Sequence, residues 1–489
     1  MKMKNKTSRI GILNKRAYGW LWLAAFLPRL VLTLLFFDHP IALDDMYQYD
    51  MLARSILQGR GYRWYTEADF EKLEPYYDRF LDVEDFQFPE DGLRTAHRGP
   101  GYPLFLSGVY AVVPETNRFG WTRLIQAALT AGLAPLCALI AVHSGLGKKS
   151  ALISGFSMAL YPILLFYPLA LASENIFLPT LTAAFLFLLL IPSHQTLKYT
   201  ALSGFFLAWS TLTRSVAALF HLVSAAWMRF FHHTKIKHIA LYLALVLLLT
   251  LPWAVRNSRL MGKPTFLETS LGYNLYISYH PEGHGGFISR IAIEPLAHIE
   301  DRARDEFATQ QALQFIKDDP GDALQRVFRK MAFFFGLEDR EMIYFYGNGF
   351  LGNIPQPWRW ALYFLLILPW LGVGFLTPLG MALSENRPAV WLTLGLLASY
   401  AVPHFLIIAE PRFHLALVPL LLPYAAHAWT QRRRIPSLFR PMKSGRGTSW
   451  LMFGTWLLFF SLIIWDIRLD WETLLRVMGP EGHKLRIPY

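Results

Sequence analysis

The feature that most constrains this chain is a series of uniformly apolar runs, each about 20 residues long, that recur from the N-terminal to the C-terminal part. A run of this length can cross the hydrocarbon core of a membrane as one helix. Inside lipid every backbone donor needs a partner within the protein, so a span is a helix or a strand of a closed barrel. Runs this continuous exclude barrel strands, which alternate polar and apolar residues. The sequence therefore predicts an all-α polytopic membrane protein.

About eleven runs are predicted to cross the membrane. Their approximate bounds are 18–37, 121–143, 150–168, 173–192, 199–213, 215–231, 238–254, 358–381, 388–407, 411–429 and 448–466. The tail 1–17 is basic and has no small-residue cleavage site, so the first helix is predicted to be an uncleaved anchor with a cytoplasmic N-terminus. This topology requires that the apolar run 102–113, between Pro100 and Pro114, does not cross. With about a dozen residues it is too short to span, and an interfacial helix is expected.

Two long polar segments, 38–120 and 255–357, are then predicted on the opposite side of the membrane from the N-terminus, together with the tail 467–489. The predicted division is a cytoplasmic tail 1–17, an N-terminal module 18–254, a large loop 255–357 and C-terminal membrane helices 358–466. Within the second segment, Arg326, Arg329 and Lys330 share one face of a predicted helix, and this basic face is expected to lie along the membrane.

Charge and cysteine content exclude several classes of function. The net charge is +12, but Lys and Arg occur in short clusters beside apolar runs, so we interpret them as topology signals and predict no nucleic-acid partner. The single cysteine, Cys137, lies in an apolar run, which excludes a disulfide framework and a cysteine metal cluster. No G-x-G-x-x-G or P-loop motif is present to hold a soluble nucleotide.

Asp44 and Asp45 follow the first apolar run directly, so two adjacent carboxylates are expected where a membrane helix meets water. One interpretation is structural: Asp45 with Gln48 has the spacing of a capping box, before a helix that stops at Gly59. The other is catalytic: one acid is a general base whose pKa is tuned by its neighbour. Spacing alone leaves both interpretations open.

Further polar residues are predicted at the same outer ends of the helices. They are His97, Arg98, Glu174, Arg214, Arg256, Glu410 and Arg412. A single charge at a helix end is most often an anchor. Arginines and carboxylates together suit a lipid-borne phosphate with an attacking hydroxyl or amine beside it. Guanidinium groups stabilise the departing phosphate, and a carboxylate accepts the proton of the acceptor.

The order of these motifs carries a resemblance. The motifs are Asp44-Asp45 with Tyr47, Arg98-Gly99-Pro100-Gly101-Tyr102-Pro103-Leu104, Glu174, Leu212-Thr213-Arg214, Pro252-Trp253-Ala254-Val255-Arg256-Asn257, Gly272-Tyr273-Asn274-Leu275-Tyr276, and Glu410 to Phe413. In this order they resemble the GT-C membrane glycosyltransferases. The similarity is closer to the bacterial branch related to protein O-mannosyltransferases and lipid A aminoarabinose transferases. It covers most of residues 15–430.

The resemblance implies a GT-C architecture with 18–254 as the catalytic module, a polyprenyl-phosphate sugar as donor, an extracytoplasmic acceptor and inversion at the anomeric carbon. It also implies a multi-pass protein of the bacterial inner membrane with its active site on the periplasmic side. The implied catalytic residues are Asp44, Asp45 and Glu174, and the implied ligands of the donor phosphate are Arg98, Arg214 and Arg256. The implied substrate-binding residues are Tyr47, His97, Tyr102, Asn274, Glu410 and Arg412.

The chain departs from the family pattern in two places. The first-loop acids of the family are often Asp-Glu, whereas here they are Asp44-Asp45, so which one is the base stays open. The double proline before the short helix is here Gly99-Pro100.

No organic cofactor is predicted, and a divalent cation, Mg²⁺ or Mn²⁺, is left open. Asp44, Asp45, Glu174 and His97 offer an oxygen-rich set, and His280 and His284 offer nitrogen ligands. The alternative function is a flippase, a transporter or a non-catalytic binder of a lipid-linked saccharide. A flippase needs ionisable residues along a path through the membrane, whereas the predicted spans are nearly free of them, which favours the transferase.

Overall fold

The computed structural model of the chain describes residues 13–42, 45–77, 89–192, 196–298, 300–339, 343, 346–347, 352–439 and 446–485. The described part is mostly helical, which confirms the predicted fold class. Its two strands, β1 (Arg63–Trp64) and β2 (Leu93–Arg94), form one antiparallel pair with Trp64 opposite Leu93. Asp44, one of the two predicted first-loop acids, lies outside the described residues.

The helices of the N-terminal half carry most of the candidate site. They include the polar segment 38–120, which we call the first outer loop after its predicted location. They are α1 (Lys15–Leu35), α2 (Asp45–Leu57), α3 (Glu67–Tyr77), α4 (Gly101–Tyr110), α5 (Arg118–Ala131), α6 (Leu133–His143), α7 (Lys148–Ala159), α8 (Pro162–Phe166), α9 (Glu174–Leu190), α10 (Thr196–Thr213), α11 (Ala218–Phe230) and α12 (Ile236–Met261).

The polar segment 255–357, which we call the second outer segment after its predicted location, and the C-terminal membrane helices follow. They are α13 (Ser270–Tyr279), α14 (Ser289–Ile293), α15 (Asp301–Asp318), α16 (Pro320–Phe335), α17 (Gln356–Leu383), α18 (Arg387–Leu406), α19 (Val418–Thr430), α20 (Ile435–Leu438) and α21 (Arg446–Val477). Short 3-10 helices connect several of these, and one of them, Pro411–Ala416, leads into α19.

Six described segments are long and apolar enough to cross a membrane. They are Lys15–Leu35, Glu115–His143, Ile236–Met261, Gln356–Leu383, Arg387–Leu406 and Trp450–Val477. The pair Lys148–Ala159 and Pro162–Leu169, bent by 53°, is a seventh if it counts as one span. The chain is thus a multi-pass membrane protein. The number eleven is not confirmed, because predicted runs such as 173–192 and 215–231 form shorter apolar helices.

The segment that was expected not to cross is the short helix α4 (Gly101–Tyr110). It packs against α2 and α10, and Tyr102 and Leu106 on its inner face are fully buried. Ten residues rise about 15 Å, half the thickness of the hydrocarbon core. A short helix is therefore present with slightly earlier bounds than the predicted 102–113, and its location at the membrane interface stays a prediction.

The basic face predicted for residues 326–330 does not lie along the membrane. Arg326 and Lys330 on α16 are buried in the protein, while Phe328 on the other side is about half exposed, at 48%. Arg326 Nη1 donates to the carbonyl of Ser278 at 3.2 Å, and Lys330 Nζ donates to the carbonyl of Leu406 at 3.0 Å. The prediction was wrong because these backbone acceptors, at the ends of α13 and α18, draw the cations inward.

Candidate functional site

The first part of the site is the contact between α2 and the segment that precedes α4. α2 begins at Asp45, whose carboxylate forms an ion pair with Arg98. Arg98 Nε and Nη2 also donate to the side-chain oxygen of Gln48 at 3.0 and 2.8 Å. The side chain of Asp45 is 45% exposed and that of Arg98 21%. Both charged groups can therefore be reached by a ligand.

Two glycines place Arg98 against the end of α10. A Cβ atom on Gly99 would lie 2.5 Å from the carbonyl oxygen of Leu212, and one on Gly101 would lie 2.4 Å from Thr213 Oγ1. Only residues without a side chain allow this approach. Since Arg214 follows Thr213 directly, the close packing brings the Arg98-Gly99-Pro100-Gly101 and Leu212-Thr213-Arg214 motifs together.

The second part of the site is an ion pair between neighbouring helices. Arg214, at the end of α10, places Nη1 2.5 Å from Glu174 Oε1, at the first residue of α9. The Glu174 side chain is only 9% exposed. Glu174 also experiences the positive charge of Arg412, so two guanidinium groups act on this one buried carboxylate.

The Glu-Pro-Arg-Phe motif completes the row of charges. Arg412 Nε lies 3.0 Å from Glu410 Oε2, and Glu410 is buried. The guanidinium of Arg214 lies 5.2 Å from the ring centroid of Phe413, within the range of a cation–π contact. Motifs almost 200 residues apart in sequence therefore share one surface.

Tyr49 on α2 connects the two parts. Its ring lies 5.7 Å from the guanidinium carbon of Arg98, and its phenol interacts electrostatically with Asp45, Arg98 and Arg214. We call the three pairs Asp45–Arg98, Glu174–Arg214 and Glu410–Arg412 the ionic band. The structure thus gathers five residues chosen from sequence around Asp45 into one continuous arrangement.

Arg256 has a different environment from the arginines of the ionic band. Its Nη1 donates to the backbone carbonyl of Thr95 and to Asn257 Oδ1, and its Nη2 donates to the carbonyl of Tyr62 at 3.1 Å. These bonds hold both strands of the first outer loop against α12. The geometry gives Arg256 a role in positioning the loop, and phosphate binding by this residue stays a prediction.

Two of the predicted substrate-binding tyrosines are buried within the first outer loop. Tyr47 donates its hydroxyl to Asp69 Oδ1 at 3.0 Å, and Tyr102 donates to Gln126 Oε1 at 2.5 Å. Both side chains pack into the cores that fix α2 and α4. Asn274, on α13, is partly exposed. Substrate contact by these three residues stays a prediction.

His97 lies between the loop strands and Arg98, and its side chain is 2% exposed. Its ring contacts Trp64 and Tyr273, each at a centroid distance of 5.4 Å. Burial, reinforced by the charges of Arg304 and Arg98, holds the pKa of His97 well below its ordinary value. The imidazole is therefore neutral at pH 7.

The members of the candidate metal set that the structure describes, Asp45, Glu174 and His97, do not assemble into a ligand group, and Asp44 lies outside the described residues. Within the described ranges, no three side chains of His, Cys, Asp or Glu are placed to hold a metal ion. The physical reason is that Asp45 and Glu174 are each paired with an arginine. His280 and His284 accept backbone N–H groups of their own loop at Nδ1, from Glu282 at 3.2 Å and Gly286 at 3.3 Å. The described residues do not fit a divalent cation.

Several supporting residues were not selected from the sequence. Glu268 accepts a hydrogen bond from Ser215, directly after Arg214, and interacts electrostatically with Arg98. Arg123 donates to the carbonyls of Phe36 at 2.9 Å and His39 at 2.7 Å, and so fixes the chain just before Asp45. Glu268 carries no motif, and Arg123 lies inside an apolar run. The sequence therefore did not indicate either residue as part of the site.

The sequence matches no family model and no curated protein. Solved structures similar to the chain include the oligosaccharyltransferase AglB of Archaeoglobus fulgidus with an inhibitory peptide and a dolichol-phosphate, at 14% identity and a TM-score of 0.46 over 93% of this chain and 56% of that one. An oligosaccharyltransferase of Archaeoglobus fulgidus in complex with Zn and sulfate matches at 13% identity and a TM-score of 0.47, over 96% of this chain and 53% of that one. The chain spans a little more than half the length of these enzymes.

A third similar structure is ArnT from Cupriavidus metallidurans bound to undecaprenyl phosphate, at 12% identity and a TM-score of 0.36 over 88% of this chain and 82% of that one. All of these TM-scores are below 0.5, so the similarity carries no conclusion about the activity of this chain. At this level of identity the similarity concerns the fold alone.

Proposed function

We propose that the protein is a glycosyltransferase that moves a sugar from a polyprenyl-phosphate donor to an extracytoplasmic lipid, glycan or protein, with inversion at the anomeric carbon. The observation that carries the proposal is the ionic band, in which three arginines and three carboxylates lie side by side. A guanidinium offers two parallel donors to a phosphate, and a carboxylate beside it can accept a proton.

The Asp45–Arg98 pair is the proposed reacting end of the band, since both side chains are partly exposed. The donor phosphate binds the guanidinium of Arg98 in place of Asp45, so the ion pair opens and the Asp45 carboxylate becomes free. The acceptor oxygen or nitrogen attacks the anomeric carbon, its proton passes to Asp45 or Asp44, and the bond from the anomeric carbon to the phosphate oxygen breaks. Polyprenyl phosphate leaves as an anion that Arg98 stabilises. Which of the two acids is the base stays open.

The buried end of the band has a holding role in this proposal. Glu174 keeps Arg214 and Arg412 together, and these two cations add positive charge to the site of the leaving phosphate. Glu410 fixes the orientation of Arg412 in the same way. A cluster of fixed cations stabilises developing negative charge without reorganising during the reaction.

We also infer that the protein lies in a bacterial inner membrane with the ionic band on the periplasmic side. The support is the set of basic turns that the predicted topology places opposite this face, among them Lys148-Lys149 and Arg432-Arg433-Arg434. A lipid-borne donor suits this location because the site is at the end of membrane helices.

The test is a comparison of envelope glycans, glycolipids and glycoproteins in cells with and without the protein. We expect one sugar-modified molecule to disappear and its polyprenyl-phosphate sugar to accumulate. The parent and Glu115→Gln should restore it, because the Glu115 side chain is 89% exposed and its ion pair is with Arg118, which is not part of the band. The double variant Asp44→Asn with Asp45→Asn should not. An unchanged glycan pattern in cells lacking the protein would overturn the proposal.

A further inference from the structure

The rings of Trp64 and His97 contact each other beside the ionic band, and each has one buried nitrogen that lacks a hydrogen-bond partner among the described residues. These nitrogens are Trp64 Nε1 and His97 Nδ1. Both side chains are 2% exposed, and their ring centroids lie 5.4 Å apart. A buried polar group left unpaired costs on the order of 1–3 kcal/mol. Two such nitrogens, on rings that contact each other, indicate a site that a ligand completes.

The backbone around both rings is held firmly. Trp64 belongs to β1, and Gly92 at the start of β2 lets the strands approach, since a Cβ there would lie 2.6 Å from the Trp64 carbonyl oxygen. Thr95 donates its hydroxyl to Asp301 Oδ2 at 2.7 Å, and the backbone N–H of His97 donates to Thr95 Oγ1 at 3.0 Å. The two rings are therefore fixed in advance of binding.

The polarity of the two nitrogens defines the complementary group. The indole of Trp64 is a donor only. His97 is neutral, because burial and the charges of Arg304 and Arg98 lower its pKa, so one of its nitrogens accepts. A phosphate or carboxylate oxygen satisfies the indole donor, but it satisfies His97 Nδ1 only in the tautomer that carries the proton on that nitrogen. A hydroxyl both accepts and donates, and so satisfies an indole N–H and an imidazole nitrogen at once.

The position of the rings relates them to the proposed donor. His97 is the residue before Arg98, and Tyr273 contacts the His97 ring while interacting electrostatically with both Arg98 and Asp45. A group bound by Trp64 and His97 is thus next to a phosphate bound by Arg98. In a glycosyl phosphate, that neighbour is the sugar ring.

We propose that Trp64 and His97 bind a hydroxyl of the donor sugar and so select which sugar is transferred. This inference rests on the proposed function and goes beyond it, because it separates recognition of the sugar from recognition of the phosphate. Trp64→Phe keeps an aromatic ring and removes the donor together with the volume of the fused five-membered ring, a loss of volume that the control Trp253→Phe shares. It should cost one neutral hydrogen bond, which corresponds to about a five-fold loss of affinity.

The experiment titrates the purified full chain with two kinds of probe, undecaprenyl phosphate and undecaprenyl phosphate carrying glucose, galactose or mannose. We expect Trp64→Phe to weaken the best-bound sugar lipid about five-fold and to leave undecaprenyl phosphate unchanged, whereas Arg98→Ala weakens both. Equal weakening of both probes by Trp64→Phe, or none, would overturn the inference. Failure of the parent to bind any of these lipids would overturn the proposed function itself.

A second measurement separates ligand binding from folding. The matched control is Trp253→Phe, because Trp253 Nε1 donates to the carbonyl of Leu267 at 3.0 Å. Without ligand, Trp64→Phe loses packing only, whereas Trp253→Phe loses packing and a hydrogen bond, so Trp64→Phe should lower the unfolding temperature less than Trp253→Phe does. A drop for Trp64→Phe as large as that for Trp253→Phe would mean that Nε1 has a partner within the protein, and would contradict the proposal.

Discussion

Arg214 Nη1 lies 2.5 Å from Glu174 Oε1, and this contact joins the end of α10 to the beginning of α9. The two residues are 40 positions apart, and each ends or begins an apolar helix where a solitary charge would ordinarily reach for water. Here both are largely shielded, so each charge depends on the other. Arg412 adds a second cation to the same carboxylate.

Removing one member of this pair should therefore be costly. Arg214→Ala leaves Glu174 charged and shielded from water, and we expect a loss of about 3 kcal/mol in the free energy of unfolding. Adding Glu174→Gln should recover part of the loss. The matched control is Arg476→Ala, from an ion pair whose side chains are 72% and 88% exposed, with an expected change within about 0.5 kcal/mol. Unfolding by detergent titration measures all three, and equal stabilities would contradict the buried pair.

The packing of α4 on the end of α10 predicts opposite effects for two glycines of the same helix. A Cβ on Gly101 would lie 2.4 Å from Thr213 Oγ1, whereas nothing lies within 4 Å of one on Gly108. Gly101→Ala should cost about 1–3 kcal/mol, and Gly108→Ala should stabilise by up to about 1 kcal/mol. Thermal unfolding of the two variants checks this. If Gly108→Ala lost stability and Gly101→Ala did not, the packing of α4 against the end of α10 described here would be wrong.

Arg98 is predicted to bind the donor phosphate. Loss of a charged hydrogen bond costs about 2 kcal/mol, so Arg98→Ala should bind a polyprenyl-phosphate sugar roughly 30-fold more weakly than the parent. Arg98→Lys keeps the charge and loses the planar pair of donors, so an intermediate affinity is expected. Titration of the donor gives these values. If Arg98→Ala binds as the parent does, Arg98 does not belong to the site.

Lys330 predicts a dependence of stability on pH. Burial, with a smaller effect of Arg326, lowers the pKa of Lys330 to about 7. The unfolded chain therefore binds more protons than the folded one between about pH 7 and the ordinary lysine value near 10.4, so the contribution of Lys330 to stability rises with pH across that interval. Lys330→Met should remove this slope. Measuring the free energy of unfolding from pH 6.5 to 10 tests this prediction. The same slope in the parent and in Lys330→Met would mean that another group causes the pH dependence.

Sequence reasoning found the helical membrane class, the short helix near 102–113 and all six members of the ionic band. These predictions follow from the length of the apolar runs and from the polar residues beside them. Both features can be recognised within a short stretch of sequence. It missed the partners, because Asp45 and Arg98, or Arg214 and Phe413, meet only through packing of distant segments.

The same limit explains the wrong prediction for Lys330. It was assigned to the membrane surface because its acceptor, the carbonyl of Leu406, is 76 residues away. The contacts of Arg256 with backbone carbonyls of the first loop were not indicated by the sequence either, and its binding of the phosphate stays a prediction. Trp64 gave no signal, since a ring nitrogen without a partner among the described residues becomes visible only in the structure.

The most direct test of the proposed reaction is a transfer measurement with the protein in liposomes, a polyprenyl-phosphate sugar labelled in the sugar, and envelope extract as the source of acceptor. The label should leave the polyprenyl lipid and appear on an acceptor. Asp44→Asn combined with Asp45→Asn should lower this rate by several orders of magnitude through loss of the base and of its charge, while donor binding persists. Transfer by the double variant at the parental rate, or label that crosses the bilayer while staying on the polyprenyl lipid, would contradict it.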